Sequence, residues 1–435
     1  MKLTKVSLAA LVALGAFSSV ASATPLEEAI KNVDISGFAR YRYTNNDIHF
    51  KGKTKGNEKT DIGNHRAGHQ FRMITNFKAA IDDNFFGVIG LRYNATDHSG
   101  DSNGDAWKDD KIVTDGHKDL DVSNTTGTFN VHQFYLGYTA GNTTITAGKQ
   151  VLGTFFTDDL VGTGVKVVNT DITGLTLAAL AVDALDNSSF SDGGLWDAVR
   201  SNKYDTGNLY GVAAIGSYDP VAFQLWYASL TNVADLLGVE VSSDIAINDN
   251  VAFGLKGQFV NNSADKVMKS PSAKADYSDG RFYAFEATTE LFGAELGAGY
   301  INWKAKDYAK KTTGTTSFTF EDQGSLIDAG EQHADWNDYT AAKGKGSVWF
   351  LNAGYRFDKF FVGADYVQGT KKFAEADTKK EKFKEVVARA SYKYSKKLTF
   401  TTWYSNAEIK NFKHNNDHTG KLESDRYRFE AKYSF

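Results

Sequence analysis

From Val33 to Phe435, apolar and polar residues alternate with a period of two, and helical spacing is scarce. Val33, Ile35, Gly37, Ala39, Tyr41 and Tyr43 interleave with Asp34, Ser36, Phe38, Arg40, Arg42 and Thr44. Phe71, Met73, Thr75, Phe77, Ala79 and Ile81 interleave with Arg72, Ile74, Asn76, Lys78 and Ala80, and the chain ends on Tyr427, Phe429, Ala431, Tyr433 and Phe435 set between Arg428, Glu430, Lys432 and Ser434. Successive side chains of a strand point to opposite faces. The pattern therefore predicts strands with one aromatic-rich apolar face and one charged face. Eighteen segments read this way, near 33–44, 66–81, 85–96, 128–140, 142–149, 164–170, 174–183, 207–218, 221–230, 238–247, 251–260, 281–291, 294–304, 347–356, 360–369, 384–394, 398–410 and 423–435. Most hold roughly ten residues, the length at which a tilted strand crosses a bilayer.

The connections alternate in length. One set is very short: 82–84, 141, 171–173, 219–220, 248–250, 292–293, 357–359 and 395–397. The other is mostly long: 45–65, 97–127, 150–163, 184–206, 231–237, 261–280, 305–346, 370–383 and 411–422. Tight turns at one rim and long loops at the other are the signature of a transmembrane antiparallel β-barrel. A closed sheet is also the only sheet that survives in lipid, because every backbone group must pair internally. Half of each strand then faces water, so a chain with no long apolar run past its first two dozen residues can still sit in a membrane. Tyr41, Tyr43, Tyr93, Tyr300, Tyr355, Tyr392, Tyr394, Tyr404 and Tyr433, near strand ends, fit interfacial girdles. The terminal Phe435, closing an alternating aromatic strand, resembles the end signal of bacterial outer-membrane barrels.

Composition narrows the function. The 435 residues include no Cys, which removes disulfides, thiolate metal sites and Cys nucleophiles. A formal charge of −4 argues against a nucleic-acid partner, and 13% aromatic residues argue against disorder. Lys2 and Lys5, the apolar run from Leu8 to Val20, and Ala21-Ser22-Ala23 predict an export signal over 1–23 that is removed. Its loss takes two lysines and no acid and moves the charge from −4 to −6. Residues 24–435 are then one barrel domain.

The blocks TPLEEAIKNVDISGFARYRY (Thr24 to Tyr43), GKQ (Gly148 to Gln150), TDDLVGTGVKVVN (Thr157 to Asn169), GLTLAALAVD (Gly174 to Asp183) and NLYGVAAIGSYD (Asn208 to Asp219) resemble the major outer membrane porins of campylobacters and their relatives. That resemblance implies an eighteen-stranded homotrimeric porin in the bacterial outer membrane. It also implies a third loop folded into the lumen, with a calcium ion held there by acidic side chains. The family's third loop carries a few more residues between its TD and its LVGTG; here Asp158 and Asp159 run straight into Leu160.

In a pore, the lumen-facing charges decide function. The alternation turns Arg40, Arg42, Arg72, Lys78, Arg92, Arg389, Lys393, Arg428 and Lys432 inward, on the first three and last three strands, which become neighbours when the barrel closes. Opposite this cationic wall stand Asp158 and Asp159 on the third loop, Asp183 at a strand end, and Glu286 and Glu290 on one strand. Hard carboxylate oxygens suit calcium. Asp158 and Asp159 are the candidate ligands, with Asp192 and Glu286 completing the shell. Asp101, Asn103 and Asp105 have D-x-N-x-D spacing, but Ile112 occupies the twelfth position, so they are not an EF-hand. No G-x-S-x-G, P-loop or helix-opening GxGxxG is present, and His65 and His69 lie on a strand entry, so no enzyme is expected. His132 is read as lumen packing. The long loops, 97–127 and 305–346 above all, are expected to face outward. The sequence thus points to a water-filled, mildly cation-selective channel for ions and small hydrophilic solutes, narrowed at the third loop, with outer-membrane lipid and lipopolysaccharide around it. The alternatives are a solute-specific channel, and a surface adhesin whose pore is incidental.

Overall fold

A computed structural model describes residues 33–53, 59–98, 129–186, 207–269, 277–306, 315–337, 339, 342–373, 379–414 and 418–435. The export segment, Asp192 and the Asp101–Asp105 run lie outside the described residues. Eighteen strands form one antiparallel sheet: β1 (Asp34–Lys53), β2 (Lys59–Ala80), β3 (Phe85–His98), β4 (Asn130–Ala140), β5 (Thr143–Val151), β6 (Val161–Asn169), β7 (Leu175–Leu185), β8 (Leu209–Tyr218), β9 (Val221–Leu230), β10 (Ala234–Asn248), β11 (Val251–Ala264), β12 (Gly280–Leu291), β13 (Ala294–Ala305), β16 (Lys345–Phe357), β17 (Phe360–Lys372), β18 (Glu381–Lys393), β19 (Leu398–His414) and β20 (His418–Ser434). The remaining pair, β14 (Thr315–Thr316) and β15 (Ala342–Lys343), is a two-residue ladder outside the sheet.

The sheet closes on itself. β1 pairs with β2 on one side and with β20 on the other, so Arg40 stands between Arg72 and Lys432. Closure removes both edges and leaves no backbone row for lipid to solvate. β1 and β2 run on as a hairpin to Lys53 and Lys59, so most of the predicted first loop is strand.

The apolar face of the alternation points away from the barrel axis. Ile89, Leu136, Val165, Val212, Leu225, Val241, Leu255, Leu351 and Val362 are all exposed, which is what a lipid-facing belt requires. At the short-turn rim, aromatic rings stack across strands: Phe357 on Phe360 at 5.6 Å between centroids, and Phe360 on Tyr392 at 4.4 Å. Nearer the loops, Trp349 lies 5.2 Å from Tyr366. The short-turn girdle is where interfacial aromatics belong.

Buried apolar side chains lie inside the barrel instead, and a single cluster runs from Leu152, Phe155 and Phe156 to Phe282, Trp303, Phe318, Phe320, Tyr339 and Phe383. Its source corrects an expectation. The connection between β13 and β16 does not stand outward as a solvated loop over its described part. Thr316, Ser317, Phe318, Thr319, Phe320, Glu321, Gln332, His333 and Tyr339 are buried. The physical reason is its composition: Phe318, Phe320, Leu326, Ile327, Trp336 and Tyr339 make it an apolar segment. The barrel interior is the only place where it leaves water without meeting lipid.

Candidate functional site

Two loops meet inside the barrel. Loop 3 joins β5 to β6. It is pinched at its base, where the Leu152 N–H donates to Leu160 O at 2.9 Å. Its tip is a tight threonine-stabilised turn: the Thr154 N–H donates to Thr157 Oγ1 at 3.1 Å and the Phe156 N–H to Thr154 Oγ1 at 3.2 Å. This turn drives Phe155 and Phe156 inward against β10. A Cβ at Gly238 of β10 would lie 3.0 Å from both rings, so any larger residue there would press on them. On the other side of the lumen, the Asp159 carboxylate forms an ion pair with Arg72 of β2. The loop thus touches walls eight strands apart in an eighteen-stranded ring.

Loop 7, the segment between β13 and β16, locks onto loop 3. The Phe320 N–H donates to Phe156 O at 2.8 Å and the Ser325 N–H to Phe155 O at 2.9 Å. Phe156 and Phe320 meet edge to face at 5.9 Å. Gly324 has φ +55 and would put a Cβ 2.7 Å from Phe155 O, so this seam needs glycine for both conformation and space. The Asp158 N–H donates to Glu321 Oε2 at 3.2 Å.

The barrel wall holds loop 7 by polar side chains on its inner face. Gln258 of β11 accepts from the Ile327 N–H at 2.7 Å and donates to Ser325 O at 2.8 Å. Asn262 of β11 donates to Ser317 O at 2.6 Å. Glu385 of β18, fully buried, accepts from the Glu331 and Gln332 N–H groups at 2.9 and 3.0 Å and from the Ser405 hydroxyl at 2.6 Å. Ser424 of β20 donates to Gln332 Oε1 at 2.6 Å. Trp336 stacks on Phe383 of β18 at 4.8 Å. None of these anchors belongs to a charge pattern along the sequence. The available signal was the aromatic content of 315–339, which no solvated loop needs.

Registers set Arg40, Arg42, Arg72, Lys78, Arg92, Arg389, Lys393, Arg428 and Lys432 on the inner face. Most have partners. Arg42 pairs with Glu430 at 2.7 Å, and Arg40 donates to Gln70 at 3.3 Å. Arg389 pairs with Asp365 and, at 3.0 Å, with Glu331 of loop 7. Arg428 lies 4.8 Å above the Trp403 ring and donates to Thr44 Oγ1 at 3.2 Å. Lys78 and Lys432 sit over Phe86 and Phe38, at 4.2 and 4.6 Å from the ring centroids. Arg40 feels the charge of Asp158, and Arg92 that of Glu321. His132, in β4 beside these arginines, is buried.

The predicted acids divide. Asp158 and Asp159 face the arginines. Asp183 does not: it is the extra residue of a bulge in β7, exposed, while its neighbour Val182 is buried. Glu290 stands at the end of β12, beside the short turn, and Glu286 lies opposite Lys256 of β11. The acid that joins Asp158 is Glu321. Burial first, and the Asp158 carboxylate second, push its carboxyl up to about 7.

The described part of the predicted calcium set does not form a cage. Asp159 is engaged by Arg72, and Asp192 lies outside the described residues. Among the described residues no three His, Asp or Glu side chains gather where a metal ion could sit, whereas calcium takes six to eight oxygens.

This architecture matches that of solved structures. No curated protein sequence matches the chain. Among solved structures, Pseudomonas aeruginosa OccK8 (OprE) superposes with a TM-score of 0.62 at 16% identity, covering 93% of this chain and 98% of that one. OpdQ of the same organism gives 0.60 at 14% identity over 94% and 99%, and OprD gives 0.61 at 11% over 96% and 98%. At such identities the likeness shows the fold alone. The family model for the Campylobacter major outer membrane protein matches residues 1–435. The chain belongs to that porin family, and its barrel sits in the bacterial outer membrane.

Proposed function

We propose that this barrel is a passive diffusion channel whose narrow zone is built jointly by loop 3 and loop 7, and that it carries small cations somewhat better than anions. The observation that carries the reading is the span of loop 3 from Gly238 on β10 to Arg72 on β2, with loop 7 bonded along its tip. Water and solute then pass beside that span, along the arginine-bearing wall of β1, β3 and β20. The wall arginines hold carboxylate, amide, hydroxyl and aromatic partners, so much of their charge is answered locally. Asp158 stays exposed at the loop tip. Facing rows of opposite charge orient water and polar solutes and disfavour apolar ones.

Asp158→Asn with Asp159→Asn removes the exposed acid and also frees Arg72. The ratio of cation to anion permeability should fall roughly twofold or more. Reversal potential across a salt gradient reads this directly, and an unchanged value would sink the proposed selectivity.

A further inference from the structure

The outer face of the barrel carries a feature that the pore does not use. Register places a row of basic side chains directly opposite one another on successive strands: Arg281 of β12 beside Lys304 of β13, Lys304 beside Lys345 of β16, and Lys345 beside Lys372 of β17. Lys382 of β18 stands diagonal to Lys372, next to Lys410 of β19, and Lys410 is next to Lys421 of β20. All point outward, since their strand neighbours Trp303, Phe383 and Ile409 are buried inside. Like charges opposite one another in a sheet destabilise it. Lys410 and Lys421 share Glu408, at 3.0 and 2.5 Å. Arg281, Lys304, Lys345, Lys372 and Lys382 form no ion pair with any described residue.

The height of the row says what answers it. Lys345 and Lys382 each stand ten residues from a ring of the short-turn girdle, Tyr355 and Tyr392. With a rise of about 3.3 Å per residue and a strand tilt of about 40°, ten residues climb about 25 Å. That is the height of the apolar belt of such barrels. One step below the row on β18, Lys384 lies 5.6 Å from the Tyr366 ring centroid; from there to the girdle the outward residues are apolar or small, such as Trp349, Leu351 and Ala353 on β16 and Val386, Ala388 and Ala390 on β18. The basic row therefore lies in the plane of the outer-leaflet head groups.

We propose that the row on β12, β13, β16, β17 and β18 is a binding site for the phosphate groups of a membrane-anchored glycolipid of the outer leaflet. Lysines spaced across neighbouring strands answer several phosphates at once, and the acyl chains lie along the belt below. The proposal rests on the membrane location of the barrel and is independent of the pore reading.

The test uses the refolded full chain in detergent, offered bisphosphorylated lipid A or the same lipid stripped of phosphate. Bound lipid is counted by native mass spectrometry. The wild type should retain the phosphorylated lipid and release the stripped one. K304Q/K345Q/K372Q/K382Q should retain about tenfold less or lower, whereas the matching Lys→Arg variant should retain it as the wild type does. Millimolar inorganic phosphate should not displace the lipid. Equal retention of the two lipids by the wild type overturns the proposal, as does equal retention by the Gln variant, or displacement by inorganic phosphate. If the Gln variant fails to fold, the two lipids on the wild type still decide the matter.

Discussion

Glu385→Ala is expected to release loop 7 from the barrel wall and raise single-channel conductance. Three donors converge on this carboxylate: the N–H groups of Glu331 and Gln332 and the Ser405 hydroxyl. The site is fully buried, so no water replaces the lost acceptor at once. Hydrogen bonds to a charged group contribute more than neutral ones, and stranded donors add a desolvation cost. The local penalty is about 3 kcal/mol. The strands keep their own ladders, so the barrel persists while the loop loses its hold on β18. Loss of this anchor also loosens Gln332 on Ser405 and Ser424. Conductance should rise roughly twofold with noisier open levels, and loop 7 should become cleavable by added protease. A quiet trace at wild-type conductance would show that loop 7 does not bound the path.

The second large effect is a pH step centred on Glu321. The loop carboxyl is held at about 7 rather than in the usual carboxylate range, mainly by burial and then by the Asp158 charge, against opposing N–H groups of Leu160 and Asp158. Asp322 and Arg92 also act on it. An unfolded carboxyl gives up its proton near 4.5, and the folded one near 7. Between those values the folded form holds more protons, so the seam is tightest at low pH and weakens as pH rises through this window. Above it, a second anion stands beside Asp158. Cation preference should therefore climb between pH 6 and 8, and current noise should climb with it. Glu321→Gln should flatten both curves. A wild type whose reversal potential is constant over that range contradicts the assignment.

The barrel was legible because period two is imposed twice, by lipid outside and by water inside, and both sides write it into the sequence. Arg40, Arg72, Arg428 and Lys432 could be placed on one inner arc without coordinates, since alternation fixes the face and closure fixes the neighbours. The constriction was legible only in part. Asp158 and Asp159 stood out as charges on a short loop, whereas their fates depend on contacts distant in sequence: Arg72 for one and Glu321 for the other. Asp183 is an odd position of β7 and shares the exposed, outward face with Leu177 and Ala181; its place at the strand end hides that face, and the bulge there only leaves it unpaired. Loop 7 looks outward by length and by its Gly, Asp, Lys and Thr, and only Phe318, Phe320, Trp336 and Tyr339 point the other way. Its anchors Gln258, Asn262 and Glu385 are ordinary strand residues until the loop arrives. The outward basic row was invisible for another reason: its members are far apart in sequence and adjacent only through strand register.

The most direct test of a pore narrowed by two inward loops is single-channel recording of the refolded protein in a planar bilayer under a salt gradient, with neutral polymers of graded size added. Discrete ohmic steps, a cation-positive reversal potential and entry of only the smallest polymers are the predicted result. Folded protein that inserts yet passes no current, or passes large polymers as freely as small ones, would contradict it.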